Sequence, residues 1–112
     1  MREDGKIDYV EQPGGDLPAT KAFYEAAFGW KFTDYGPSYA AYGEGLDGGF
    51  DSYPNAITQP LVILFAHDLE GMEAKVRAAG GAITREIYAF PGGRRFHFKD
   101  PAGNELAVWS DA

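Results

Sequence analysis

Residues 7–30 read IDYVEQPGGDLPATKAFYEAAFGW, and within them the hydrophobic spacing changes from that of a strand to that of a helix. Lys6 to Glu11 is β-prone, whereas Thr20, Phe23, Tyr24, Ala27 and Phe28 recur at the three and four spacing of one helix face. Asp16 offers a carboxylate to cap that helix, Pro18 is tolerated in an opening turn whose amide hydrogens lack partners, and Gly29 supplies the stop. The spacing predicts a helix over about Leu17 to Phe28. Residues 61–81, LVILFAHDLEGMEAKVRAAGG, repeat the plan. Leu61 to Ala66 is the strand, Asp68 the cap, and Leu69, Met72, Val76 and Ala79 the stripe. Gly80-Gly81 ends it, so a second helix is expected over about Leu69 to Ala79.

Working outward, each helix is followed by three further β-prone segments. They are Trp30 to Asp34, Tyr39 to Tyr42 and about Leu46 to Ser52 after the first, then Ala82 to Tyr88, Arg94 to Lys99 and Glu105 to Ser110 after the second. The order β-α-β-β-β occurs twice, with Asp16-Leu17 and Asp68-Leu69 in register 52 residues apart, which points to an internal duplication. One domain over 1–112 is expected, with a first module at about 5–52, a linker at about 53–60 bearing Pro54 and Pro60, and a second module at about 61–110. Asp100-Pro101-Ala102-Gly103 has proline second and glycine fourth, the pattern of a tight turn, and should join the last two strands as a hairpin.

The chain has 112 residues, 45% hydrophobic and 24% charged, which suits one globular domain able to bury a core without disulfides. Ten Lys plus Arg against seventeen Asp plus Glu give a net charge of −7, which repels phosphate backbones and anionic lipids. Neither nucleic acid nor membrane is an expected partner. The absence of cysteine removes thiol catalysis, thiolate metal ligation and redox switching. Apolar runs such as Leu61 to Ala66 fall far short of the roughly 20 residues that span a bilayer, and Met1 begins a polar stretch, so a cytoplasmic location is expected.

Ile7-Asp8-Tyr9-Val10-Glu11, Asp16-Leu17 and Lys21-Ala22-Phe23-Tyr24-Glu25-Ala26-Ala27-Phe28-Gly29-Trp30 together resemble the opening of the glyoxalase, bleomycin-resistance and extradiol-dioxygenase superfamily, the vicinal oxygen chelate proteins. Asp68-Leu69, Ala78-Ala79-Gly80-Gly81 and Phe98-Lys99-Asp100-Pro101-Ala102-Gly103-Asn104 resemble its closing module, so the resemblance covers nearly the whole chain. It implies an α+β fold of two βαβββ modules whose mixed sheet curls into a cup, with helices on the outer face. It also implies a bound metal or small ligand, usually in a homodimer. It does not specify a reaction.

Strand alternation says what would line such a cup. If Val10, Val62, Leu64, Leu106 and Val108 face the helices, then Tyr9, Glu11, Leu61, Ile63, Phe65, Ala107 and Trp109 face the other way. Members that do metal chemistry place His, Glu or Gln on the first and last strands of each module, because a divalent cation needs their lone pairs. Carried over by the resemblance, those positions fall on Tyr9, Leu61, Ala107 and one of Gly48 or Gly49. Leu and Ala offer no lone pair and neutral Tyr is a poor ligand for hard cations, so no cofactor is expected and a divalent metal is disfavoured. His97, Glu11 and Asp47 are the one alternative metal set the sequence offers, and His67, beside the cap Asp68, reads as a solvated loop histidine.

Gly43-Glu44-Gly45-Leu46-Asp47-Gly48 matches a dinucleotide fingerprint, but no helix opens after it, so it reads as a strand-joining loop. No G-x-S-x-G elbow or other nucleophile motif appears. Seventeen aromatic residues leave a surplus of flat side chains, with Tyr39, Tyr42 and Phe50 as further candidate walls. The expected function is metal-free binding of a small, partly aromatic or polar-headed molecule through Tyr9, Glu11, Phe65, His97 and Trp109, with Arg95 orienting an anionic group. The alternatives are a lyase, isomerase or dioxygenase using a nonstandard metal or acid-base chemistry by Glu11 and His97, and a structural interaction module whose rings simply fill the cup.

Overall fold

The computed structural model describes residues 2–53 and 57–112; Met1 and the middle of the expected linker, Pro54 to Ala56, lie outside the described residues. Among the described residues the order is β1 (Ile7–Pro13), α1 (Leu17–Phe28), β2 (Thr33–Asp34), β3 (Tyr39–Glu44), β4 (Leu46–Asp51), β5 (Leu61–Phe65), α2 (Leu69–Ala78), β6 (Ala82–Phe90), β7 (Gly93–Lys99) and β8 (Glu105–Ser110). The chain divides into two compact units, Tyr9–Leu61 and the residues up to Asp8 together with Val62–Ala112.

In the unit Tyr9–Leu61 the strands lie in the order β2-β3-β4-β1, with β1 parallel to β4 and β3 antiparallel to both its neighbours. Asp16 caps α1 by accepting from the Ala19 amide at 3.2 Å, and Gly29 ends it at φ 70°, a conformation that favours glycine. Leu17, Ala40 and Phe50 are buried, with Tyr24, Trp30, Phe32 and Tyr42 packed on them. Two sequence expectations need correcting here. Phe23 and Phe28, expected on the buried stripe, are 58% and 63% exposed. The helix instead turns Leu17, Thr20 and Tyr24 inward, held at its start by the Thr20 hydroxyl donating to the Gly14 carbonyl at 2.7 Å. The strand expected from Trp30 shrinks to Thr33–Asp34, because Trp30 and Phe32 enter the aromatic core. The fingerprint glycines form a hairpin between β3 and β4 that turns at Gly45, φ 105°.

In the other unit the order is β5-β8-β7-β6, with β5 parallel to β8, so the strand following the helix by three again pairs with the strand preceding it. That repeated order is the architectural form of the duplication. Asp68 caps α2 by accepting from Gly71 at 3.0 Å. Ala66, Leu69, Phe96 and Val108 form the core, covered by Leu64, Met72, Val76, Ile83, Ile87 and Phe98. The Asp100 turn is present, closed by Gly103 donating to the Asp100 carbonyl at 3.0 Å. Residues before Asp8 join this unit, with Gly5 donating to the Phe65 carbonyl at 2.8 Å. Among the described residues no helix is long and apolar enough to cross a membrane.

Candidate functional site

Each unit has one sheet face turned toward its helix and one turned away, and the expected site residues sit on the faces turned away. In the unit Tyr9–Leu61, β1 alternation sends Val10 and Gln12 to the helix side, where Tyr42 donates to Gln12 Oε1 at 2.5 Å. Tyr9 and Glu11 take the other side. The register places Glu11 beside Gly49 of β4, and Tyr39 of β3 lies on the same face. The Tyr9 and Tyr39 hydroxyls are 2.5 Å apart, and Tyr39 donates to Glu11 Oε2 at 3.2 Å. Glu11 is 5% exposed. A Cβ on Gly49 would come within 2.5 Å of the Tyr9 hydroxyl and closer still to that of Tyr39, so the absence of a side chain here makes room for both. Burial pushes the Tyr9 hydroxyl up to about 12 and raises that of Tyr39 as well, so both phenols stay protonated at neutral pH. Tyr42 and Phe50, expected as walls on this face, belong instead to the aromatic core beneath α1, because they share register with Val10 and Gln12.

In the second unit the register lines up Phe65, Trp109, Arg95 and Tyr88 across β5, β8, β7 and β6, with Ile63, Ala107, His97 and Arg85 in the next row. Phe65 and Trp109 meet edge to face at 5.4 Å, and Phe90 stands 6.2 Å from Trp109. The Trp109 indole donates to Asp8 Oδ2 at 2.9 Å, and Arg2 lies over its ring at 4.9 Å. Arg95 Nε donates to the Tyr88 hydroxyl, which is 2.9 Å from His97 Nε2, and His97 Nδ1 is 3.6 Å from Glu105 Oε2. The row is satisfied when Tyr88 gives its own proton to Nε2, which leaves the imidazole proton on Nδ1, toward Glu105. Burial and then the charge of Arg95 hold His97 down to about 4, so it is a neutral imidazole at pH 7.

Phe65, Arg95, His97 and Trp109 are thus brought to one face of one unit, and Tyr9 and Glu11 to one face of the other. Sequence reasoning missed Tyr88, Asp8, Glu105 and Gly49 as partners, and gave Tyr39 no role beyond a wall. A cavity of about 450 Å³ in the unit Tyr9–Leu61 lies on the helix side, lined by Gln12, Asp16, Thr20, Phe23 and Tyr24 among others; of the expected walls Phe50 lines it, whereas Tyr9, Glu11, Phe65, Arg95, His97 and Trp109 do not.

The positions that the family resemblance assigns to a metal do not fit one here. The space beside Gly49 is taken by two phenol hydroxyls, and Leu61 and Ala107 are buried with no donor atom in their side chains. Among the described residues no group of three or more His, Asp or Glu is placed to hold a metal ion. His67 is an exposed loop residue paired to Asp4 at 2.8 Å.

Residues 6–108 match the family model described as the Glyoxalase/Bleomycin resistance protein/Dioxygenase superfamily. No curated protein matches the chain. Among solved structures, the Mn(II)-bound glyoxalase from Novosphingobium aromaticivorans is 25% identical with a TM-score of 0.68, over 99% of this chain and 40% of that one. Methylmalonyl-CoA epimerase from Mycobacterium tuberculosis is 14% identical with a TM-score of 0.73, over 100% of this chain and 91% of that one. An NAD-dependent benzaldehyde dehydrogenase from Legionella pneumophila is 13% identical with a TM-score of 0.76, over 91% and 96%. Three such different names on one backbone show that the shared fold does not choose the chemistry.

Proposed function

The chain belongs to the Glyoxalase/Bleomycin resistance protein/Dioxygenase superfamily, and from the side chains at the positions that the family resemblance assigns to a cation we propose that it binds a small molecule without a divalent metal. The observation that carries this is the Tyr9 and Tyr39 hydroxyl pair over Gly49, which fills that position with neutral phenols, poor ligands for a hard divalent cation. Each unit offers the helix-free face of its own sheet as a binding surface. Phe65, Phe90 and Trp109 supply flat apolar area, and Arg95 supplies a guanidinium for an anionic group. Acid-base catalysis by Glu11 and His97 is the weaker reading, since an imidazole held down to about 4 is a feeble base and is not in the imidazolium form needed to act as an acid at pH 7.

The test is a thermal-shift screen of small aromatic acids and alcohols in the presence of EDTA. A ligand at ten times its Kd adds about 1.4 kcal/mol, a Tm rise of roughly 6 °C for a domain of this size. The rise should saturate and should vanish in Trp109→Ala while that variant still melts cooperatively. A rise that needs added metal ion, or that survives Trp109→Ala unchanged, contradicts the proposal.

A further inference from the structure

The hydrogen bonds on the helix-free face of the unit Tyr9–Leu61 run in one direction, and that direction fixes what Tyr9 can recognise. A phenol has one proton to give, and a carboxylate has none. Tyr39 spends its proton on Glu11 Oε2 at 3.2 Å, so the 2.5 Å contact between the two hydroxyls must be made by the proton of Tyr9. The Tyr9 oxygen is left with lone pairs and no hydrogen. Glu11, at the inner end of this chain, is buried, whereas Tyr9, at the other end, is only half-buried. Both Glu11 and Asp47 place negative charge near the Tyr9 hydroxyl, which further favours an electropositive hydrogen over an electron-rich oxygen beside it. Gly49 leaves room for the pair, since any side chain there would displace one hydroxyl or the other.

We propose that Tyr9, oriented by Tyr39 and Glu11, is a hydrogen-bond acceptor that selects ligands presenting an N–H or O–H group and discriminates against ligands presenting only a carbonyl, nitro or phosphoryl oxygen. Tyr39 is the positioning residue: it touches no ligand, but by consuming the Tyr9 proton it sets the sign of the subsite. This rests on the small-molecule reading above, and extends it from a shape to a chemical class. In Tyr39→Phe the Tyr9 proton loses its acceptor and becomes available to a ligand, so the preference should relax or reverse.

The experiment has two arms, one of which needs no ligand. Hydroxyl-proton NMR of the wild type should show slowly exchanging resonances for Tyr9 and Tyr39. Tyr9→Phe should remove only the first, because the acceptor of Tyr39 is Glu11, whereas Tyr39→Phe should remove both. If Tyr9→Phe also abolishes the Tyr39 resonance, the chain runs the other way and the inference is overturned. The second arm compares aniline, a neutral N–H donor, with nitrobenzene, an acceptor of similar size, by ligand-observed NMR titration. One net hydrogen bond corresponds to about fivefold tighter binding of aniline to the wild type, falling to parity or below in Tyr39→Phe. Equal affinities in the wild type, or a ratio unmoved by Tyr39→Phe, overturn the specificity while leaving small-molecule binding intact. The expected hydroxyl pattern with neither probe binding overturns the subsite and counts against the small-molecule reading on which it rests.

Discussion

Replacing His97 by Gln should remove most of a pH dependence that the wild type shows between pH 6.5 and 4. His97 is 5% exposed, and its imidazole is held from the ordinary 6.5 down to about 4, by burial first and then by the charges of Arg95 and Arg85, with Glu105 opposing them. The folded state therefore binds this proton less readily than the unfolded chain does. As pH falls below 6.5 the unfolded chain becomes protonated first, and stability is lost until the folded state titrates near 4, after which the loss levels off. With about 1.4 kcal/mol per tenfold difference in proton affinity, the contribution at pH 4.5 is about 2.5 kcal/mol. Gln can still accept from Tyr88 and face Glu105, but it has no charge to take up. Urea denaturation at pH 7 and at pH 4.5 measures the difference. The wild type should lose about 2 to 3 kcal/mol more than His97→Gln, a midpoint displaced by about 1 to 2 M. If both proteins lose the same stability over that interval, the imidazole is not held neutral by its surroundings and the account of this face is wrong.

Other perturbations separate packing from position. Gly49→Ala should cost about 1 to 3 kcal/mol by thermal denaturation, because its Cβ meets the hydroxyls of Tyr9 and Tyr39 and the Tyr39 ring, and the cost should shrink in a Tyr39→Ala background that removes the clashing ring and oxygen together. Asp16→Ala leaves the first turn of α1 without its side-chain acceptor and should lower stability by about 1 kcal/mol. Phe23→Ser on the exposed side of α1 should change stability by less than about 0.5 kcal/mol, whereas Phe96→Ala, at a fully buried position, should cost about 3 to 5 kcal/mol. Similar losses at the two phenylalanines would mean that the outer side of α1 is covered after all.

The parts of the fold legible in the sequence are those set by local chemistry. Asp16 and Asp68 announce helix starts because a carboxylate there meets unpaired amides, and both do so in the structure. Alternation along β7 places Phe96 and Phe98 in the core and so turns His97 and Arg95 to the other face. What was not legible depends on register between strands distant in sequence. The meeting of Tyr9 with Tyr39 follows from β1 and β3 both pairing with β4, and neither residue carries a local sign of the other. Tyr88 reaches His97 and Arg95 across an irregularity in β6 between Arg85 and Tyr88, where simple alternation fails. The misplacement of Phe23 and Phe28 has a different origin. Their spacing fits a buried stripe, but α1 lies with Leu17 and Tyr24 on the inner line, and Thr20 on that line is bonded to the Gly14 carbonyl.

The most direct measurement is a calorimetric titration of Mn(II), repeated with Ni(II) and Zn(II), into protein first stripped with chelator. With phenols over Gly49 and hydrocarbon at Leu61 and Ala107, no saturable uptake of one ion per chain should appear, and the small-molecule thermal shift should be the same before and after stripping. One ion bound per chain, together with a ligand shift that returns only when that ion is restored, would contradict the account at its root.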